Sequence, residues 1–417
     1  MRDRIPSMTS LEKEYEQYAE LLIQSGINLP QGGNLLIHCK PESFDFARIC
    51  AKKAYELGAH MVEFQIKDMS LIKARLQAQS GNEEALGAHP DWLDSWQKAM
   101  IDQNWSFLAL PSFEDLGLMA DANQQDLALF SRLQQSAMEQ FHNDISTHNM
   151  SWCVGAVPGP RWAEAVLGSG ATTEELWEVL KPILLLNKEN PVQAWREKAD
   201  ALVERGKKLD ALSLDSLRFE DEGTNLTVGL NPGSLWKGGP EEARGRRTMP
   251  NIPTEEVFTT PHRMRCDGTA RVTRPVEIRG TMTKGVTLTF KDGLVVDFDA
   301  QEGREALAGY LDTDAGAKRL GEVALVGADS PIAKSGYLFS SILYDENAAC
   351  HIALGSGYPT CIEGYEDFKT EEDSQAAGCN TSIVHTDFMI GSPTMTVTGI
   401  DQMGKEIPIM EQGKFVI

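Results

Sequence analysis

Short apolar runs alternate with amphipathic stretches of helical length through the N-terminal half of this sequence. The apolar runs are NLLIHC (34–39), MVEFQI (61–66), WSFLAL (105–110) and SWCVGAV (151–157). Strands that alternate with helices form βαβ units, in which neighbouring strands are parallel. The pattern therefore predicts an α/β N-terminal domain with a mostly parallel sheet.

The texture of the sequence changes near residues 210–220. Beyond this point short strand-like runs and glycine turns dominate, as in GVTLTFKDGLVVDFDA (285–300), where Lys291-Asp292-Gly293 separates two alternating runs and predicts a β-hairpin. A chain of 417 residues is also too long for one ordinary core. We therefore expect an α/β scaffold domain at residues 1–215 and an α+β domain at residues 216–417.

Charge and cysteine usage exclude several classes of function. A net charge of −22 argues against a nucleic-acid-binding surface, which needs clustered Lys and Arg. The seven cysteines form no CxxC pair, and the N-terminal strands carry no glycine-rich nucleotide motif. Because neither a secretory signal nor a long apolar segment is present, we expect a cytoplasmic protein that does not enter membranes.

Acidic residues and histidines gather in apolar or glycine-rich stretches of the C-terminal half. Carboxylates and imidazoles suit Zn²⁺, Co²⁺, Mn²⁺ or Mg²⁺, with no thiolate required. Six such ligands exceed the need of one tetrahedral catalytic metal and suffice for two metals bridged by a carboxylate. The six candidates are Glu256, Glu322, Glu346, His351, His385 and Asp387.

Each candidate taken alone has a second interpretation. A lone glutamate in an apolar run, such as Glu322, is also typical of a carboxylate paired with Lys or Arg. His385 and Asp387 leave the same face of a strand, where the aspartate either orients the imidazole or joins it as a ligand. Spacing by itself leaves these alternatives open.

Two nearby residues are weaker candidates. His262 precedes Arg263, whose guanidinium competes for anionic partners, so we expect this histidine outside the ligand set. Cys350 adjoins His351, but neighbouring residues on a strand point in opposite directions. We therefore expect Cys350 to be a packing residue.

Five segments stand in order along the C-terminal half: NIPTEEVFTTPHR, LDTDAGAKRLGEVALV, SPIAKSG, DENAACHIALGSGY and VHTDFMIGS. Together they resemble the signature segments of the thermophilic metallo-aminopeptidase family, the group of aminopeptidase T, aminopeptidase S and peptidase S. The resemblance implies an exopeptidase that acts on short peptides with a free N-terminus. It also implies two divalent metal ions and a homodimer.

The resemblance further implies roles for particular residues. It assigns metal ligation to the six candidates above, with Glu322 as the bridging carboxylate, and a catalytic role to Tyr358. Residues 216–417 would then be the metal-binding catalytic domain. A two-metal centre of this kind requires Glu322 to lie within a side-chain length of His385.

Two other functions remain open. Some relatives of these aminopeptidases are thought to hold one iron and to cleave dihydroxypyridine rings, and His351, His385 and Asp387 supply the matching two-histidine, one-carboxylate set. One iron would leave Glu256, Glu322 and Glu346 uncompensated. A non-enzymatic scaffold protein would instead carry these acids on its surface without convergence.

Overall fold

The computed structural model of the chain describes residues 10–115, 117–119, 121–147 and 149–417. The helices are α1 (Ser10–Leu21), α2 (Phe44–Glu56), α3 (Met69–Ala78), α4 (Glu83–Gly87), α5 (Leu93–Asp102), α6 (Gln124–Ala137), α7 (Glu139–Ser146), α8 (Pro160–Leu167), α9 (Thr173–Ile183), α10 (Pro191–Ala211), α11 (Arg304–Leu311), α12 (Pro331–Ser335), α13 (Ile342–Asp345) and α14 (Glu371–Ala376). None of these helices combines the length and the apolar character needed to span a bilayer.

The strands of the described residues are short, and most lie in the second half. They are β1 (Asn34–Cys39), β2 (Met61–Ile66), β3 (Ser106–Leu110), β4 (Trp152–Val154), β5 (Leu214–Asp221), β6 (Thr224–Leu230), β7 (Glu241–Ala243), β8 (Arg246–Thr248), β9 (Val257–Thr259), β10 (Pro261–Arg271), β11 (Val276–Ile278), β12 (Thr281–Thr283), β13 (Thr287–Lys291), β14 (Leu294–Asp299), β15 (Leu320–Leu325), β16 (His351–Gly355), β17 (His385–Met389), β18 (Thr396–Asp401), β19 (Glu406–Glu411) and β20 (Lys414–Phe415).

The chain divides into two compact units. The first contains the described residues up to Glu197 together with Pro240–Ile252, and the second contains Lys198–Gly239 and Pro253–Ile417. The boundary between the two units lies within α10, and the first unit also contains the hairpin of β7 and β8. The domain boundary between residues 215 and 216, which we derived from the sequence, stays a prediction.

The first unit contains a four-stranded parallel sheet. Its order is β2-β1-β3-β4, and β1 pairs in parallel with both of its neighbours. Leu35, Leu36 and Ile37 of β1 are buried in succession, as expected for a parallel strand with both faces covered. The fold class predicted for the N-terminal half is therefore confirmed.

The second unit is built mainly from antiparallel strands. An eight-stranded sheet has the order β14-β13-β10-β6-β5-β18-β19-β20. Between β13 and β14, Asp292 and Gly293 form a two-residue loop with φ angles of 51° and 76°, the positive values that a type I′ hairpin turn requires. The predicted hairpin and the α+β class of the C-terminal half are both confirmed.

A second, four-stranded sheet in this unit carries the acidic residues and histidines. Its order is β17-β16-β15-β9, with every neighbouring pair antiparallel. Each residue of β15 and β16 is buried. A charged side chain on these two strands is therefore surrounded by protein and needs a partner.

Candidate metal centre

The register of the four-stranded sheet brings four candidate side chains to one face. Ala353 of β16 pairs with Glu322 on one side and with Asp387 on the other. Residues paired across antiparallel strands share a face, and so do residues two apart along a strand. His351 lies two residues before Ala353 on β16, and His385 lies two residues before Asp387 on β17. The side chains of both histidines, Glu322 and Asp387 therefore surround the small methyl group of Ala353.

A glycine allows β16 and β17 to approach closely at this point. Gly355 pairs with His385, and its φ of +112° lies in the region that L side chains rarely adopt. A Cβ atom there would lie 1.9 Å from the carbonyl oxygen of Val384. The glycine therefore permits the backbone contact that sets the position of His385.

The first cluster of potential ligands consists of Glu256, Glu322 and His351, with one ligand atom from each lying within 4.8 Å of the others. Glu256 immediately precedes β9, which pairs with β15. His351 Nε2 is 3.2 Å from Glu256 Oε2 and 4.0 Å from Glu322 Oε1. Two ligands of one tetrahedral metal at about 2.1 Å lie about 3.4 Å apart, so these separations are of the right size.

The second cluster consists of Glu322, His385 and Asp387. His385 Nε2 is 3.3 Å from Glu322 Oε2 and 3.4 Å from Asp387 Oδ1. Glu322 thus belongs to both clusters and turns one carboxylate oxygen toward each histidine. The proximity of Glu322 to His385 that a two-metal centre requires is present.

Backbone carbonyls orient both imidazole rings. The Nδ1 atom of His351 is 3.2 Å from the carbonyl oxygen of Ala349, and that of His385 is 2.7 Å from the carbonyl oxygen of Ser356. A carbonyl oxygen only accepts, so each Nδ1 carries the proton of the hydrogen bond. The Nε2 atoms are the ones left to face the carboxylates, as in metal-ligating histidines.

The acidic surroundings shift the pKa values of these groups. Loss of hydration lowers the pKa of His351, but the hydrogen bond and the negative charge of Glu256 outweigh it and raise that pKa to about 10. Desolvation, followed by the charges of Asp387 and Glu256, raises the pKa of Glu322. The site therefore carries more buried negative charge than its two imidazoles neutralise.

Two buried carboxylate oxygens of the site face no donor other than the imidazole beside them. They are Glu256 Oε2 and Asp387 Oδ1, in residues that are 8% and 6% exposed. An unpartnered buried carboxylate is costly, and a divalent cation between oxygen and nitrogen ligands would compensate it. These side chains fit the divalent metal that a metalloprotease needs.

Glu346 lies beside these clusters without belonging to either of them. Desolvation raises its pKa well above the usual value, and the charges of Glu256 and Asp387 raise it further. Its Oε1 accepts a hydrogen bond of 3.2 Å from the side-chain amide of Asn347. Glu346 is thus near enough to the other carboxylates to interact with them electrostatically.

Tyr358 stands at the edge of the site. Its hydroxyl oxygen is 3.4 Å from His385 Nε2, and its ring packs edge-on against Phe258 with centroids 5.4 Å apart. The Thr260 hydroxyl accepts a 2.8 Å hydrogen bond from Tyr358 N–H and donates one of 3.0 Å to its carbonyl oxygen.

The exposure of Tyr358 differs between the residue and its hydroxyl. The residue is 37% exposed, so a substrate can reach it. The hydroxyl faces the buried acids, and both desolvation and the charges of Glu322 and Asp387 raise its pKa well above the usual value. The hydroxyl therefore keeps its proton at neutral pH.

The two weaker candidates lie outside the clusters. His262 Nδ1 accepts a hydrogen bond of 3.1 Å from the backbone N–H of Met264. Cys350 is 2% exposed and packs its sulfur 3.6 Å from that of Met410, as expected for a core residue. Sequence reasoning missed Asn347, which hydrogen-bonds Glu346, because its place in the segment DENAACHIALGSGY does not show where its side chain points.

Comparison with known proteins agrees with this geometry. Residues 11–415 match the model of a family described as thermophilic metalloprotease (M29). Aminopeptidase 2 of Geobacillus stearothermophilus is 38% identical over 412 residues, which is 98% of this chain and 99% of that protein.

Solved structures give the same result. Wild-type AmpT from Thermus thermophilus superposes with a TM-score of 0.89 at 36% identity, covering 98% of this chain and all of that one (100%). The 2,5-dihydroxypyridine dioxygenase of Pseudomonas putida KT2440 has a TM-score of 0.51 at 11% identity over 98% of each chain, which shows a likeness of fold alone. The predicted family and the prediction of a peptide-bond hydrolase are confirmed, and the chain belongs to the thermophilic metalloprotease (M29) family.

Proposed function

We propose that this chain is an aminopeptidase that hydrolyses the N-terminal peptide bond of short peptides with water activated by two divalent metal ions. The observation that carries the proposal is the shared position of Glu322. Its two oxygens lie 4.0 Å from His351 Nε2 and 3.3 Å from His385 Nε2. A carboxylate with one oxygen toward each of two ligand clusters is the arrangement that a dinuclear site needs.

In this proposal the six acidic and imidazole side chains hold the metals. Glu256 and His351 would hold one ion, and His385 and Asp387 would hold the other. Glu322 would be a ligand of both ions. Glu346 completes the ligand set. When bound, such ions lower the pKa of a shared water and polarise the scissile carbonyl. Zn²⁺, Co²⁺, Mg²⁺ and Mn²⁺ all suit this set of oxygen and nitrogen ligands.

Tyr358 supplies a hydrogen bond in the proposed reaction. Its hydroxyl stays protonated beside the acids and is held 3.4 Å from His385 Nε2. A fixed O–H donor stabilises the negative charge that develops on the carbonyl oxygen as water attacks. Thr260 and Phe258 contribute by fixing the backbone and the ring of this tyrosine.

Selectivity for a free N-terminus requires recognition of an amine. The buried carboxylates of the site accept hydrogen bonds from an amino group, whereas an acylated N-terminus offers fewer protons and no positive charge. In this proposal the acidic site selects peptides with a free N-terminus, so the peptidase acts as an exopeptidase.

A mononuclear iron dioxygenase is the alternative on a related fold. His351, His385 and Asp387 would hold the iron. Glu256 Oε2 would then lose to the iron the imidazole nitrogen beside it, and Glu322, which is 4% exposed, would also remain an uncompensated buried acid. The two-metal hydrolase is therefore the better-supported function, and membership of a metalloprotease family argues against a non-enzymatic scaffold.

We also propose a homodimer, as the family resemblance implies, and a cytoplasmic location, which the seven scattered cysteines without a CxxC pair favour. Sedimentation equilibrium of the purified protein measures the oligomeric state, and a mass of twice 46.0 kDa is expected.

Chelation tests the proposed function. Metal-loaded protein should release N-terminal residues from a panel of leucyl, arginyl and aromatic peptide amides, and it should lose this activity after dialysis against a chelator. The matched substrate control is the same panel with acetylated N-termini, which should not be cleaved. Full activity in a chelated sample whose metal content is zero by elemental analysis would refute the mechanism.

A further inference from the structure

Asn347 is a fully buried polar residue (0% exposed) whose side chain lies between two chain segments. Its Oδ1 accepts a 2.7 Å hydrogen bond from the backbone N–H of Glu255. Its Nδ2 donates to Glu346 Oε1 at 3.2 Å and to the carbonyl oxygen of Leu343 at 3.1 Å. One amide therefore uses both of its protons and its oxygen on three different groups.

Two of these contacts end at residues of the metal centre or beside them. Glu346 is itself a proposed ligand, and the amide donates a hydrogen bond to one of its carboxylate oxygens. Glu255 is the residue before Glu256, so fixing its N–H fixes the start of the segment that carries Glu256.

The asparagine is itself held in place. The Ser330 hydroxyl donates a hydrogen bond of 3.0 Å to the carbonyl oxygen of Asn347, and the contact with Leu343 fixes the far side of its amide. A rigid support matters because a metal tolerates only small displacements of its ligands, and the groups that orient ligands influence affinity strongly.

We propose that Asn347 is a positioning residue of the metal centre, which aligns Glu346 directly and Glu256 through the backbone of Glu255. This inference rests on the proposed function, because it needs the acidic clusters to bind metal. The oxygen and the NH₂ group of the amide have separate tasks: the oxygen fixes the Glu255 segment and the NH₂ group fixes the Glu346 carboxylate.

Asn347→Asp separates these tasks. Aspartate has nearly the same shape and keeps an acceptor for the Glu255 N–H, but it replaces the donor that faces Glu346. We expect the affinity for Zn²⁺ or Co²⁺ to fall about 10–100-fold, the usual effect of losing a group that orients a ligand. Competition with a chromogenic chelator measures this affinity without reference to activity.

Gln97→Glu is the matched control. Gln97 is 2% exposed and lies in the first unit, where its side chain accepts a hydrogen bond from the backbone N–H of Phe141 and donates one to the carbonyl oxygen of Ala137. Its substitution should leave metal affinity within about twofold of the parent protein, the scatter expected for an independent site. Asn347→Ala, which removes the amide without adding charge, repeats the test if the aspartate variant does not fold.

A double-substitution cycle distinguishes positioning from a general loss of structure. If Asn347 acts through Glu346, Asn347→Asp should cost less than about twofold in affinity once Glu346→Gln is present. An equal cost in both backgrounds, or an affinity in Asn347→Asp and Asn347→Ala that matches Gln97→Glu, would overturn the inference. If the parent protein takes up no metal, or Glu346→Gln binds as the parent does, the proposed ligand set fails instead.

Discussion

Two histidines in apolar strands of this molecule have opposite electrostatic surroundings. His38 lies in β1 of the parallel sheet, where desolvation and the positive charges of Lys67 and Lys40 lower its pKa to about 4. His351 lies in β16 of the antiparallel sheet, where Glu256 and other acids overcome desolvation and raise its pKa to about 10. Burial acts in the same direction on both, so the neighbouring charges make the difference.

The comparison shows why an isolated residue pattern does not define a site. NLLIHC and CHIALG are both short apolar runs with one histidine, and each forms a buried strand. Only the second is surrounded by carboxylates, two of which have an oxygen that faces an imidazole and no other donor. A neutral histidine beside lysines is a stable structural residue, whereas a histidine among unpartnered acids is typical of a cation site.

The largest effect should come from removing the shared carboxylate. Glu322→Ala should abolish peptidase activity and the second metal, because both clusters lose a ligand. His38→Gln, a substitution in the strand without acids, should retain activity and metal content. Elemental analysis and peptide-amide hydrolysis on both variants measure the contrast. Full activity in Glu322→Ala would show that the two strands do not differ in function as we infer.

The loss of one donor at the edge of the site should have a smaller effect. Tyr358→Phe keeps the ring that packs against Phe258 but removes the hydroxyl near His385. We expect kcat to fall about 10²–10³-fold with little change in KM or metal content, as for other single donors to a developing oxyanion. A change in KM alone would indicate that the tyrosine only binds substrate.

The smallest effect concerns stability at the histidine of β1. The unfolded chain takes up a proton at His38 near the ordinary pKa of 6.5, whereas the folded chain does so only near pH 4. The contribution of His38 to stability is therefore complete above pH 6.5 and is lost as the pH falls toward 4. At pH 5 the loss is about 2 kcal/mol. In His38→Gln this contribution should be absent.

Urea unfolding at pH 7 and pH 5 measures that contribution. Metal-free protein is needed, because metal binding is itself pH-dependent. The decrease in unfolding free energy between the two pH values should be about 2 kcal/mol smaller in His38→Gln than in the parent. An identical decrease in both proteins would mean that burial and the neighbouring lysines do not lower the pKa of His38.

Local patterns predicted much of the fold. The runs at residues 34–39 and 61–66 became β1 and β2 with the same bounds, since a short apolar run between helical stretches predicts a strand whether it is largely buried, like β1, or largely exposed, like β2. The pairing of β5 with β18 was beyond reach, since it joins Leu217 to Gly399 across the length of the second unit. No local preference encodes a partner so distant in the sequence.

The site divides in a similar way between predictable and unpredictable parts. The candidate ligands could be named because charged residues in apolar runs stand out. Their convergence depends on the register of β15, β16 and β17 around Ala353, which only the assembled sheet defines. Asn347 lies in the segment DENAACHIALGSGY but was not singled out, because only the folded chain defines its three side-chain contacts.

The most direct test of the central claim is anomalous diffraction from crystals of the metal-loaded protein, recorded at the absorption edge of the metal. Two peaks about 3.5–4 Å apart are expected, both within coordination distance of Glu322, one beside His351 and the other beside His385. A single peak held by His351, His385 and Asp387, with Glu322 unbound, would contradict the two-metal centre.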